Sequence, residues 1–292
     1  MNRFIPVLTL LLGFPGLLHA KEAGVSPWKA DFRRVALEFS STEVKNAKAY
    51  ANSPNSQLSA DSQTVVKGVF DFMLEYQQPY YSWNNGVFME YGKTKLRPAD
   101  GDNSSSENAD KILLTSDYNR KMWRYADADV GPFGSLGYQT EFTANNDAPR
   151  QKILRGKGGI KLFNGEKVKE LYAALVEELD MTYSREDMKT AWEVGGRAEY
   201  PLREGVKFQF EGYFRDYFVY SRYVGTDFRY ELNFTSRMDV KLNDGFSLAP
   251  YVSYIQAQSR ESKLKGSNTM IGIALSFSGT FDLSLIHISE PT

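Results

Sequence analysis

Residues 226–240, TDFRYELNFTSRMDV, alternate between apolar and polar side chains along their whole length. A period of two predicts an extended strand with one apolar and one polar face, whereas a helix needs apolar residues at spacings of three and four. The run is longer than the usual strand of about 5–6 residues. It reaches the about 9–11 residues that a tilted strand needs to cross a bilayer. It therefore predicts either a membrane-spanning barrel strand or a long amphipathic strand of a soluble sheet.

The same alternation recurs along the chain and predicts about twelve strands. Their predicted ranges are 31–40, 64–76, 87–96, 111–123, 133–144, 152–163, 168–183, 190–200, 206–217, 226–240, 246–258 and 268–281. Tight-turn signals at residues 164–165, 201–205 and 243–245 alternate with long polar connections at 41–63 and 97–110. Short periplasmic turns and longer extracellular loops are typical of membrane barrels. We therefore predict an all-β, antiparallel transmembrane up-and-down β-barrel.

Residues 168–183, VKELYAALVEELDMTY, fit two structures. Leu171, Leu175 and Leu179 lie at four-residue steps, as on one face of a helix. A strand would place Glu177 on the lipid-facing side, where a charge is costly near the membrane midplane. The neighbouring strands favour the strand, and the helix remains the alternative.

The two ends of the chain are predicted not to belong to the barrel. Residues 1–20 have a basic start at Arg3, an apolar stretch and a small residue at Ala20, which is the pattern of a secretory signal peptide. Residues 283–292, LSLIHISEPT, match the translation of a sequencing adaptor, and we expect them to be an artefact. The barrel domain is therefore assigned to residues 21–282.

The amino-acid composition argues against several classes of function. The 35 basic and 36 acidic residues nearly balance, which argues against a nucleic-acid partner. The chain has no cysteine, and its two histidines, His19 and His287, lie in the signal peptide and the artefact. The domain thus lacks a histidine base and the usual zinc ligands. We predict no catalytic residue, no metal site and no cofactor.

The long alternating strands, the Asn-Asp-Gly turn and the final segment GIALSFSGTF, which ends at Phe281, resemble Gram-negative outer-membrane β-barrels. The strand number resembles that of narrow porins of the oligogalacturonate-channel class. The resemblance implies an outer-membrane location, contact with outer-membrane lipids, and recognition of the last strand by the barrel assembly machinery. Those channels line the lumen with arginine tracks, whereas the predicted lumen of this chain mixes both signs.

The polar face of the predicted strands supplies the candidate functional residues, which we expect to line the lumen. They are Asp71, Glu75, Glu141, Arg155, Lys157, Lys161, Glu193, Arg197, Lys207, Glu211, Arg215, Asp227, Arg229, Glu231, Arg237 and Asp239. Such rings of charge set solute selectivity in channels. The first hypothesis is a porin-like channel for passive or weakly selective diffusion of small solutes. The alternative is a non-conducting structural or surface-binding barrel whose charges pair, and an outer-membrane enzyme is the least favoured.

Overall fold

A computed structural model describes residues 26–50, 53, 55–58, 63–96, 104–143 and 149–283. The predicted signal peptide and residues 284–292 of the adaptor-like tail lie outside this part of the chain. The strands are β1 (Trp28–Lys45), β2 (Gln63–Gln77), β3 (Tyr81–Leu96), β4 (Ser104–Arg120), β5 (Trp123–Tyr125), β6 (Ala128–Thr140), β7 (Lys152–Phe163), β8 (Val168–Asp180), β9 (Asp187–Arg203), β10 (Val206–Tyr220), β11 (Phe228–Lys241), β12 (Phe246–Ser259) and β13 (Gly266–Asp282).

The strands close into a barrel because the first pairs with the last. β1 and β13 are antiparallel neighbours from the Lys29–Asp282 pair to the Lys45–Ser267 pair. The short strand β5 pairs only with β6, while β4 pairs directly with β6 and continues the ring. Twelve antiparallel strands therefore form the closed sheet, and the predicted all-β up-and-down barrel is confirmed.

The ambiguous segment 168–183 is a strand, β8, over Val168–Asp180. Leu171, Leu175 and Glu177 point outward from the barrel and are exposed, while Val176 and Glu178 point inward and are buried. The outward Glu177 accepts hydrogen bonds from the Thr190 hydroxyl on β9 at 3.0 and 3.1 Å. The cross-strand partner satisfies the carboxylate that had argued for a helix.

Several predicted boundaries were wrong. β1 continues to Lys45, β3 begins at Tyr81 and β4 begins at Ser104, so parts of the segments expected to be loops are strand. At the other end of β4, the strand stops at Arg120, and the chain forms the separate β5 before it enters β6. Composition misled here because polar residues such as Ser and Asn are usual in turns, yet a barrel strand needs polar side chains on its inner face.

The outer face of the barrel is apolar. Leu37 pairs with Leu275 and Phe39 with Ile273 across β1 and β13, and all four side chains are at least 41% exposed. Aromatic rings follow the end with the shorter connections, where the Trp28 and Tyr76 rings lie 4.7 Å apart and the Tyr81 and Tyr118 rings 5.6 Å apart. Among the described residues, no helix is both long and apolar enough to cross a membrane.

Connections differ in length between the two ends of the barrel. At one end lie residues 78–80, 121–127, 164–167, 204–205 and 242–245. At the other end, the strands that follow one another are separated in the sequence by residues 46–62, 97–103, 141–151, 181–186, 221–227 and 260–265. Two of the short connections are joined by a hydrogen bond: the Asp127 carboxylate accepts the backbone N–H of Glu166, which holds the Asp127 pKa below its usual range.

Adjacent glycines on β7 provide a test of the barrel wall. A Cβ on Gly159 would lie 2.0 Å from the Ala173 carbonyl oxygen, whereas a Cβ on Gly158 would meet nothing within 4 Å. We expect Gly159→Ala to lower the free energy of unfolding by about 1–3 kcal/mol because the β7–β8 pair must separate. The matched control, Gly158→Ala, should leave it unchanged. Unfolding in urea after reconstitution in detergent measures both, and equal effects of the two changes would contradict this wall geometry.

Candidate functional site: the charged interior of the barrel

A β-bulge in β1 turns two arginines into the barrel. The register with β2 and β13 shifts between Phe32 and Val35. A bulge adds one residue to a strand and re-aims the side chains next to it. Phe32 and Val35 remain on the outer face, with the Phe32 ring 5.0 Å from that of Phe72, while Arg33 and Arg34 both face inward. Arg33 donates from Nε to the Asp71 carboxylate at 2.9 Å.

A second shift of register changes the strand with the clearest alternation. β11 slips against β12 between Phe228 and Tyr230, which makes Arg229 the extra residue. Strict alternation placed Phe228 outward with Tyr230, but Phe228 packs inside the barrel against a buried cluster that includes Ile255 and Ala257. Arg229 is exposed at this bulge.

The largest group of interior charges spans β7 to β10. We call it the main ionic cluster, and its members are Arg155, Lys157, Tyr172, Glu178, Lys189, Glu193 and Arg215. Glu178 accepts hydrogen bonds from Arg155 at 2.6 and 3.0 Å and lies 3.6 Å from Lys189. Glu193 accepts from Arg215 Nε and from the Tyr172 hydroxyl, each at 2.6 Å, and pairs with Lys157.

Burial explains why charges of both signs alternate in this cluster. The Glu193 side chain is completely buried, and those of Glu178 and Arg215 are at most 5% exposed. An isolated buried carboxylate would carry a large desolvation penalty, so it requires close cations and hydrogen-bond donors. Each carboxylate here has two or more cations within 4 Å. The charges therefore stabilise one another in place.

A smaller cluster occupies the inner faces of β1, β2 and β3. Lys67 lies 3.3 Å from Glu38 and 3.1 Å from Glu90, and Arg34 lies 3.7 Å from Glu38. On β11, Arg237 pairs with Asp239 and also donates to the Ser276 hydroxyl on β13 at 2.9 Å. These groups bind neighbouring strands together from the inside.

One ion pair joins distant parts of the wall. Arg34 on β1 lies 4.0 Å from Glu211 on β10, and β13, β12 and β11 separate these strands in the ring. The other ion pairs between strands of the described chain join strands that are adjacent or two positions apart. Glu211 keeps half of its side chain exposed although it points inward, so open space surrounds it.

The remaining interior surface has a recess on one side and an apolar patch on the other. A recess of about 120 Å³ lies between β4, β6, β7 and β8, and its lining combines Phe133 and Tyr172 with Lys157 and Lys161. On the other side, small and apolar residues from β1, β2, β12 and β13 form a patch. They are Ala36, Val69, Ala249, Tyr251, Met270 and Ala274.

Most of the sequence-predicted residues lie in ion pairs inside the barrel wall. These are Asp71, Arg155, Lys157, Lys161, Glu193, Lys207, Glu211, Arg215, Asp227, Glu231, Arg237 and Asp239. Arg197 is half-buried on β9 opposite Glu211, and Glu75 on β2 accepts a weak hydrogen bond from Gln77 at 3.4 Å.

Two predicted residues are placed differently from the others. Glu141 lies beyond the end of β6, where it accepts the backbone N–H of Gln151 at 2.9 Å and where burial raises its pKa. Arg229 is exposed at the β11 bulge and is not brought into the ionic clusters.

Sequence reasoning also missed several interior charges. Glu38, Lys67 and Glu178 lie on the polar side of the predicted strands, so alternation placed them inward although they were not among the candidates. Lys189 lies one residue before the predicted strand 190–200, and β9 includes it because it begins at Asp187. Arg33 could not be found that way because only the bulge turns it inward. Within the described ranges, no three His, Cys, Asp or Glu side chains are grouped to hold a metal ion.

Comparison with protein families gives one match. A family described as "Protein of unknown function (DUF3078)" matches residues 55–145, which run from the first long connection to the loop after β6. No curated protein matches the sequence.

Solved structures of similar shape include outer-membrane proteins of low sequence identity. The COG4313 outer membrane channel from Pseudomonas putida F1 is 12% identical, with 91% of this chain and 100% of that chain covered and a TM-score of 0.44. The NanC porin is 11% identical, covering 82% and 99%, with a TM-score of 0.37. The anion-selective porin from Comamonas acidovorans is 9% identical, covering 85% and 98%, with a TM-score of 0.36.

The main ionic cluster predicts a large effect from a single neutral substitution. Glu193→Gln removes the charge shared by Lys157 and Arg215 and leaves these cations in a buried setting. We expect the free energy of unfolding to fall by about 3–5 kcal/mol, as when one partner of a buried pair is removed. Asp244→Asn is the control, because Asp244 pairs with Lys241 on the exposed surface and should contribute little. Equal urea midpoints for Glu193→Gln and the parent protein would contradict the stabilising role of the cluster.

Proposed function

We propose that this protein is an outer-membrane barrel through which small solutes diffuse passively. The apolar outer face and the aromatic rings at its end support a membrane location, since barrels present an apolar band with aromatic girdles to lipid. The shorter connections would then lie in the periplasm and the longer ones outside the cell. The apolar and aromatic side chains of β13, including Phe277 and Phe281, suit recognition by the barrel assembly machinery.

The main support for the proposal is that the ion pairs run along the barrel wall, between strands that are adjacent or two positions apart. Opposite charges on nearby strands hold each other against the wall, and Arg34–Glu211 is the long-range pair among the described residues. Side chains fixed along the wall leave the barrel axis available to water and solute. Twelve strands lie between the eight of a filled barrel and the sixteen of an open porin. A narrow polar passage is therefore the expected interior.

The same pairing makes strong charge selectivity unexpected. Cations and carboxylates occur side by side in the main ionic cluster, so the passing solute meets no large field of one sign. The exposed half of Glu211 is the exception, since it faces open space at the point where Arg34 reaches across. We place the charge-sensing constriction of the channel at this pair.

A non-conducting structural or surface-binding barrel is the second candidate. The burial of the main ionic cluster favours it, because closely paired charges can fill a lumen as well as line one. The two candidates differ in one measurable property, which is conductance. Neither requires catalysis.

Planar-bilayer recording of the refolded protein tests the proposal. We expect small, stable conductance steps with weak ion preference. Glu211→Lys should raise the anion-to-cation permeability ratio by at least about twofold, because it reverses the accessible charge at the constriction. The matched control, Glu204→Lys, makes the same change in the exposed turn before β10 and should leave the ratio unchanged. Silent membranes with correctly folded protein would overturn the channel and favour the second candidate.

A further inference from the structure

The long connection between β1 and β2 carries two short turns that fold into the mouth of the barrel. We call them the mouth turns, Ala47–Tyr50 and Ser56–Leu58. Tyr50 is 2% exposed and Leu58 is fully buried, which is unusual for residues in a connecting segment. Both belong to one buried cluster with Ile255 and Ala257, which lie on the inner face of β12. The two mouth turns therefore pack into the opening of the barrel.

Hydrogen bonds hold the mouth turns to β12, to β13 and to the connection between these two strands. The Tyr50 hydroxyl donates toward the carbonyl oxygens of Ala257 at 3.1 Å and Leu264 at 2.8 Å, and it accepts the Ser259 N–H at 3.2 Å. Asn268 on β13 donates from its side-chain amide to the Gln57 carbonyl at 2.8 Å. The Tyr50 ring also packs so closely on Gly266 that a Cβ there would lie 2.8 Å from it. The position of the Tyr50 ring therefore depends on the absence of a side chain at Gly266.

The mouth turns reach across a large part of the ring. Leu58 belongs to the cluster with β12, while the Ser56–Leu58 turn also contacts β13, β1 and β4. In the ring, β13, β1, β2 and β3 separate β12 from β4, so these two strands lie almost opposite each other in a twelve-stranded barrel. A segment that touches both must cross the opening.

Strand pairing does not require this path. Thr42 and Gln63 are already paired, so β1 and β2 are adjacent where the connection leaves them, and a short turn could join them. The chain instead uses the additional residues to bury Tyr50 and Leu58 against the inner face of β12, two strands away from β1.

We propose that the mouth turns are the size-selecting element of the channel and form its narrowest entry at this end. This inference rests on the proposed diffusion function. Tyr50 and Leu58 are the residues that anchor the turns. Small hydrophilic solutes pass beside the turns, and larger ones are excluded.

Cysteine labelling tests the position of the turns. Because the chain has no cysteine, only the introduced residue reacts. Leu58→Cys should react with a bulky, membrane-impermeant maleimide at least about tenfold more slowly than Lys263→Cys, since exchange with reagent requires local opening at the buried site. Lys263 is the matched control because it is exposed in the connection 260–265 at the same mouth. Adding Gly266→Ala, which displaces the Tyr50 ring, should accelerate labelling of Leu58→Cys. Equal rates at positions 58 and 263 would overturn the proposal.

The size-selecting role is tested by replacing residues 46–62 with a short Gly-Ser turn. We expect single-channel conductance to rise at least about twofold, because the narrowest entry controls passage. Proteoliposomes should also admit larger neutral sugars than the intact protein does. A heat-modifiable gel shift checks that the variant remains a folded barrel, and Tyr50→Ala is a second variant that keeps the full chain. Unchanged conductance and sugar limit in folded variants would overturn the proposal.

The two proposals fail in different ways. If neither the intact nor the shortened protein conducts, the channel proposal is wrong. Slow labelling at position 58 would then show only that the mouth turns are buried in the opening. If the intact protein is silent and the shortened one conducts, the mouth turns close a competent pore. If both conduct equally, the channel stands and the size-selecting role of the turns is lost.

Discussion

The pairing of β1 with β13 is the contact on which the rest of the structure depends. A membrane supplies no water to unpaired backbone groups, so a sheet that crosses it must close on itself. Once the Lys29–Asp282 and Lys45–Ser267 pairs join the ends, every strand has an inner and an outer face. Closure thus converts the simple alternation of apolar and polar residues into a separation of lipid-facing and interior surfaces.

Interior charges are tolerated because the barrel wall places opposite charges at short distances. Glu178 and Glu193 are buried, yet each is held by cations and hydroxyl groups from neighbouring strands. Adjacent strands are about 4.7–4.9 Å apart, which lets Arg, Lys and Glu side chains meet without crossing the barrel. The same arrangement that stabilises the wall can leave the axis open, so stability and the proposed passage do not compete.

Irregularities in the sheet supply the features that distinguish this barrel. The bulge at Arg33 gives β1 two inward arginines in succession, and one of them reaches Glu211 on a distant strand. The mouth turns after β1 pack into the opening through Tyr50 and Leu58. The bulge is needed only for the inward position of Arg33, because Arg34 already faces inward by alternation with Val35, Leu37 and Phe39. The candidate constriction and the candidate entry filter both arise from β1 and the segment that follows it.

The sequence alone determined the fold class and the approximate position of each of the twelve barrel strands, because period-two alternation depends only on local backbone geometry. It also placed most of the charges on the interior side. Only the tertiary structure decided the inward position of Arg33 and the reversal at Phe228, since a bulge depends on the register with neighbouring strands. The burial of Tyr50 and Leu58 was likewise invisible in a polar connecting segment, because it depends on contacts with β12, which lies far away in the sequence.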